Sequence, residues 1–209
     1  MIAVHAAVNL PHFDGWHLIG AFPDHEPEDV GSWLLVHYRQ ALLLEMPPGL
    51  SVGDVKSALK HTQTSLRYAT ASHDHEDHLD PDVWKTLGQT FPKAEFIHPA
   101  TVSGDRRLRV GGEPLWLIKA PKHSASDIVV VFRGVAMTGD LELGMLASVN
   151  HEVPWPTKRR SMDWLRGFPD RAGYHVHSVV SAHLNDVRVS IHWSDLFRYE
   201  DERSLGNET

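Results

Sequence analysis

The chain contains no cysteine. Disulfides, thiolate metal sites and cysteine nucleophiles are therefore excluded. It has no stretch near the roughly 18 apolar residues of a membrane span. Its N-terminus lacks a basic region followed by an apolar run, so no export signal is expected. Positive charge is in the minority, with 20 Lys and Arg against 27 Asp and Glu and a formal net charge of −7. A nucleic-acid binder carries a basic footprint, which this balance argues against. These absences lead to the expectation of a cytoplasmic protein acting on a small molecule, with a homo-oligomer left open and neither nucleic acid nor membrane as partner.

Histidine, by contrast, is abundant, at 16 of 209 residues. Hydrophobic content of 42% with 22% charged residues is ordinary for a globular protein. The length fits a single domain over residues 1–209 with a substantial core.

Hydrophobic patterning predicts strands at 2–9 and 16–22, then a hairpin of 32–38 and 41–46 joined at Arg39-Gln40. Leu42-Leu43-Leu44 is continuously apolar, as in a strand covered on both faces. A helix is predicted over 51–62, with Ser51 as its N-cap and Val55 and Leu59 on one face. A short strand at 66–70 follows, then a helix opening at Asp80-Pro81-Asp82. Further strands are read at 94–98, 106–110, 114–120, 127–132 and 135–138. A helix at 157–167, strands at 178–182 and 187–193, and a polar tail after Tyr199 complete the chain. Such an order is neither regular βαβ alternation nor all-β. Two sheets packed face to face with helices outside would satisfy it.

The densest chemistry lies in His73-Asp74-His75-Glu76-Asp77-His78. In extended backbone alternate side chains share a side, so His73 and His75 can grip one ion. A turn into helix would swing Asp77 and His78 towards a neighbouring position. Nitrogen and oxygen donors without thiolate suit zinc, iron or manganese. The bland alternative is a solvated polar loop in a histidine-rich chain. Downstream partners weigh against it: His123, Asp140 and His183 each follow a predicted strand, where loops carry sites on rigid scaffolds. Any one of these alone would more often be structural. Together with the cluster they make seven ligands, enough for two ions and a bridge.

In this order the motifs resemble the metallo-β-lactamase superfamily: His73-x-His75-x-Asp77-His78, then Lys122-His123-Ser124, Thr138-Gly139-Asp140, and Ala182-His183. The resemblance implies an α+β fold, a four-layer αβ/βα sandwich of two mixed sheets with helices on the outer faces. It also implies that His73, His75 and His123 hold one metal ion, that Asp77, His78 and His183 hold a second, and that Asp140 bridges them. The implied cofactor is a pair of divalent ions, zinc first and iron or manganese as alternatives. The implied activity is hydrolysis of an ester, thioester, lactone or phosphodiester by a metal-bridging hydroxide, with Asp77 and Asp140 as the catalytic carboxylates. A mononuclear iron oxidoreductase of the persulfide-dioxygenase type is the competing expectation, and a metal-binding protein without turnover a third.

Three features depart from the superfamily pattern. Glu45, in Leu44-Glu45-Met46-Pro47, stands where an aspartate is usual, a position that orients the metal loop. The loop around His123 lacks its usual glycines, with Lys122 before it and Ser126-Asp127 after it. His183 leads into Leu184-Asn185-Asp186 instead of the common glycine and helix. Lys122 would either bind an anionic substrate or point to water, the latter being favoured. His151 and Trp155, which follow the Asp140 loop, are candidates for lining a substrate pocket. Lys158-Arg159-Arg160 reads as a solvated helix face.

Overall fold

The computed structural model describes residues 12–23, 29–140, 152–184 and 190–198. Within them two sheets stack face to face. The first has five strands in the order β1 (Trp16–Pro23), β2 (Asp29–His37), β3 (Gln40–Leu44), β4 (Ser65–Thr70) and β5 (Glu95–Phe96). The second has six, in the order β11 (Ser190–His192), β10 (Ser178–Val180), β9 (Val135–Met137), β8 (Ile128–Phe132), β7 (Glu113–Lys119) and β6 (Asp105–Val110). Both sheets are mixed, because β3–β4, β4–β5 and β9–β10 pair in parallel and the other neighbours are antiparallel.

Side-chain alternation sorts the core into three layers. Between the sheets, Trp33, Leu35, Leu42 and Leu44 meet Leu115, Leu117, Val130 and Phe132. The intervening residues Leu34, Leu43 and Ala69 face outward onto α1 (Val52–Thr62) and α2 (Pro81–Thr90), through Val55, Leu59 and Leu87. On the far side, Ile118, Val129 and Val131 face α3 (Trp155–Arg166) and α4 (Phe168–Ala172), through Met162, Leu165 and Phe168. Strands covered on both faces have no polar side to show, which is why Ala41-Leu-Leu-Leu44 and Ile128-Val-Val-Val-Phe132 read as unbroken apolar runs. The four-layer sandwich expected from the sequence is the observed architecture.

Local signals set most element ends. Ser51 and Asp54 form a reciprocal capping box at the start of α1. Asp80 accepts the backbone N–H groups of Asp82 and Val83 at 3.0 and 2.8 Å, with Pro81 opening α2. Where the structure differs, the reasons are physical. The strand expected at 94–98 shortens to β5, because His98 and Pro99 start a 3-10 turn (Pro99–Thr101). The strand expected through Trp193 stops at His192, and residues 193–198 are helical. Trp193, Leu196 and Phe197 recur at helical spacing and all pack into the outer core. The helix expected from 157 starts at Trp155, and α4 was not foreseen. The strand expected at 2–9 and the tail after Tyr199 lie outside the described residues. Among the described residues no helix is long and apolar enough to cross a membrane.

The sheets are stitched at one end by Trp16, whose indole N–H donates to the Phe132 carbonyl at 3.1 Å while its ring meets Trp33 edge-on. Phe132 is completely buried in the layer between the sheets. Phe132→Ala is therefore expected to cost about 3–5 kcal/mol of stability in denaturant unfolding. A loss below about 1 kcal/mol would mean that this layer collapses around the cavity and is not the rigid frame described here.

Candidate metal centre

All seven candidate ligands sit on loops or strand ends at one edge of the sandwich. The loop after β4 carries His73, His75, Asp77 and His78. It is anchored at both ends: the Ser72 carbonyl accepts the Ile128 N–H at 2.7 Å, and the His78 carbonyl accepts the Met46 N–H at 2.7 Å. His123 lies between β7 and β8, and Asp140 just beyond β9. Gly139 before it has φ +66°, and a Cβ there would come within 2.7 Å of Ser72 Oγ. A glycine is thus needed for Asp140 to approach the histidine loop. His183 follows β10 and forms an isolated antiparallel bridge with Val30 of the first sheet. The Gly31 N–H donates to the Ala182 carbonyl at 3.0 Å and the Leu184 N–H to that of Asp29 at 2.9 Å, so both sheets fix this ligand.

The side chains form two groups. His73, His75 and His123 make the first; Asp77, His78, Asp140 and His183 make the second. Within each, one ligand atom per residue lies within 4.8 Å of all the others. Asp140 divides between them. Its Oδ2 is 3.6 Å from His73 Nε2 and 3.4 Å from His123 Nε2, while its Oδ1 is 2.8 Å from His78 Nε2 and 3.2 Å from His183 Nε2. His73 Nε2, His78 Nε2 and Asp140 Oδ1 are buried without a hydrogen-bond partner among the described residues. Buried polar atoms are ordinarily paired. Here they face one another without donor–acceptor alignment, as ligands converging on a cation do. The donor set, imidazole and carboxylate with no thiolate, fits a divalent metal.

Charge in the site supports the same fit. Burial alone would push Asp140 up, but the imidazoles of His78 and His183 hold it well below the ordinary carboxylate range. Burial drives His73 well below the usual histidine value, reinforced by His78 and opposed by the Asp140 carboxylate. His123 is lowered for the same leading reason. Both are thus the neutral imidazoles a metal requires. His78 is the exception. Burial would lower it, yet the Asp140 and Glu45 carboxylates raise it well above the ordinary value, so this corner demands positive charge.

Glu45 is fully buried at φ +65°, a left-handed conformation that costs a non-glycine residue about 1–2 kcal/mol. Its carboxylate accepts the Ser72 N–H through both oxygens at 3.2 Å and stands 3.4 Å from His78 Nδ1. One residue thereby holds the start of the ligand loop and the outer nitrogen of a ligand. Lys122 departs from the favoured expectation that it points to water: it is buried with Nζ 3.5 Å from Asp127 Oδ2. Trp155 opens α3 with Lys158 Nζ 6.0 Å from its ring centroid; Lys158 is buried, not part of a solvated face. His151 lies outside the described residues.

Sequence reasoning gave no role to three residues. Asp127 and Ser126 organise the His123 loop, and Glu152 places Oε2 3.3 Å from His75 Nε2. The signal for the first two was present in Ser124-x-x-Asp127, a spacing by which a short loop turns back on its own N–H groups. Nothing in the sequence marks Glu152. Burial opposes ionisation of Asp127, but Lys122, His73 and the backbone N–H groups it accepts lower its carboxyl to about 2.

Two measurements follow. Glu45→Gln is expected to keep the fold but loosen metal by about 10–100-fold in chelator competition; unchanged affinity would place Glu45 outside the network. For Asp127, a depressed carboxyl stabilises the fold fully above the unfolded value of about 3.9 and loses that contribution as pH falls further. The stability gap between wild type and Asp127→Asn should therefore be full above about pH 4 and close by about pH 2. A gap independent of pH would show that Asp127 does not act as a buried anion.

No family model matches the sequence, and no curated protein sequence does either. Solved structures do match. ETHE1 from Myxococcus xanthus is similar at 18% identity, covering 86% of this chain and 81% of that one, with a TM-score of 0.64. A metallo-beta-lactamase family protein from Thermus thermophilus is similar at 15% identity, covering 94% and 80%, with a TM-score of 0.58. The metallo-beta-lactamase DIM-1, in its structure exposed to ceftazidime, is similar at 11% identity, covering 95% and 96%, with a TM-score of 0.65. With these neighbours and two sheets enclosed by helices, the chain has the metallo-β-lactamase fold.

Proposed function

We propose that this chain is a metal-dependent hydrolase of small molecules with a dinuclear centre. His73, His75 and His123 would hold one ion and Asp77, His78 and His183 the other, with one oxygen of Asp140 turned to each. Zinc is the metal the donor set suits best. The observation that carries the reading is the division of Asp140 between the two groups, Oδ2 facing His73 and His123 and Oδ1 facing His78 and His183. A carboxylate spread in this way lowers repulsion between two close dications. In a single-ion site the second oxygen would serve only to accept a hydrogen bond from His78 or His183.

Bound divalent metal supplies acidified water near neutral pH and a Lewis acid for the developing oxyanion. The protein's own part is positional. The imidazoles of His73 and His123, lowered by burial, add no charge of their own, and Asp140 keeps the groups in register. Asp77, 19% exposed where its neighbour His78 is fully buried, would be the carboxylate that takes up a proton from the attacking water. A carbonyl or phosphoryl centre of an ester, thioester, lactone or phosphodiester is the chemistry this serves.

Elemental analysis of purified protein, with turnover of an aryl ester and a bis-aryl phosphate, tests the reading. Wild type should carry two ions. Asp140→Ala should lose both and fall to background turnover, whereas His73→Ala and His78→Ala should each weaken a different ion and both suppress turnover. Normal turnover with two ions retained in Asp140→Ala would overturn the bridging role. A wild-type chain that saturates at one iron would replace the hydrolase with an oxidoreductase.

A further inference from the structure

The loop that presents His123 is shaped by a side chain four residues further on. The backbone N–H groups of Lys122, His123 and Ser124 all donate to Asp127 Oδ2, at 2.9, 2.6 and 3.0 Å. The Ser124 hydroxyl donates to Oδ1 at 3.0 Å. Consecutive N–H groups aimed at one oxygen curl the backbone around it, and the curl fixes the direction in which His123 leaves the loop. Lys119 Nζ holds the same loop from outside, donating to the Ala125 carbonyl at 2.7 Å.

Ser126 then ties this loop to the other one. Its hydroxyl donates to Asp74 Oδ1 at 2.6 Å and accepts the Asp74 N–H at 3.0 Å. Asp74 is the residue between His73 and His75. A chain of contacts therefore runs from the backbone of His123 through Asp127, Ser124 and Ser126 to the backbone between the other two ligands, with the Ser124 and Ser126 hydroxyls 2.9 Å apart. Ser124, Ser126 and Asp127 are all buried. Across the gap, His123 Nε2 and His75 Nδ1 stand 3.2 Å apart.

We propose that Asp127 and Ser126 are positioning residues for the first ligand group, Asp127 setting the aim of His123 and Ser126 setting its distance from His73 and His75. This rests on the reading of His73, His75 and His123 as metal ligands. It also accounts for a serine where the resembling motif carries glycine, since glycine has no hydroxyl to make the tie.

The test is metal affinity at each of the two sites in wild type, Ser126→Ala, Ser126→Thr and Asp127→Asn. Zinc affinity is read by chelator competition, and ligand geometry by the visible absorption of the cobalt-substituted protein. Ser126→Ala and Asp127→Asn should weaken one ion by about 10–100-fold and leave the other unchanged. Their cobalt spectra should be altered, and Ser126→Thr, which keeps the hydroxyl, should restore both. Circular dichroism and thermal melting check that each variant folds, and Ser126→Ala decides the matter if Asp127→Asn does not. Wild-type affinity at both sites in Ser126→Ala would overturn the proposal, as would equal weakening of both. A wild-type chain that binds no zinc would instead overturn the metal reading beneath it.

Discussion

The structure depends on the contact between two sheets whose inner faces are built mainly of apolar side chains. Leu35, Leu42 and Leu44 from one, and Leu117, Val130 and Phe132 from the other, are removed from water together. Neither sheet can be buried on that face without its partner. Once they stack, the ends of β4, β9 and β10 and the loop between β7 and β8 converge on one edge. The ligands inherit their proximity from this packing: His73 and His183 meet around Asp140 because their strands cannot shift without opening the core.

A buried cluster of histidines and carboxylates is costly to assemble unless its charges are matched. The fold spends backbone donors and a lysine to hold the surrounding anions. Glu45 is satisfied by the Ser72 N–H, Asp127 by three backbone N–H groups and Lys122. The carboxylates left at the site, Asp77 and Asp140, face imidazoles among the described residues. The division is between anions that are part of the scaffold and anions reserved for a cation.

Much of this was legible in the chain itself. The His73–His78 cluster, the Gly139-Asp140 pair and the strand-end position of His183 are local patterns, and local patterns survive reading in one dimension. So did the outward and inward faces of Leu42-Leu43-Leu44, because an apolar run of that length has few other uses. Lys122 was misjudged because charge beside a ligand suggests solvent or substrate, and its burial depends on a carboxylate that only the folded loop brings under it. Glu152 meets His75 across a distance in sequence that no spacing rule spans. The helix at 193–198 was not foreseen, and its first residue, Trp193, was placed in the preceding strand, because three apolar residues at helical spacing are too short a stretch to separate the two periods.

The bridge between Val30 and His183 also bears on how much of the chain each group draws together. All three imidazoles of the first group are supplied by residues 73–123, ahead of β8. The second group depends on β10 pairing with β9. The two groups therefore differ in reach: the first needs only loops on either side of β5 to β7, whereas the second needs His183 brought across to the opposite sheet.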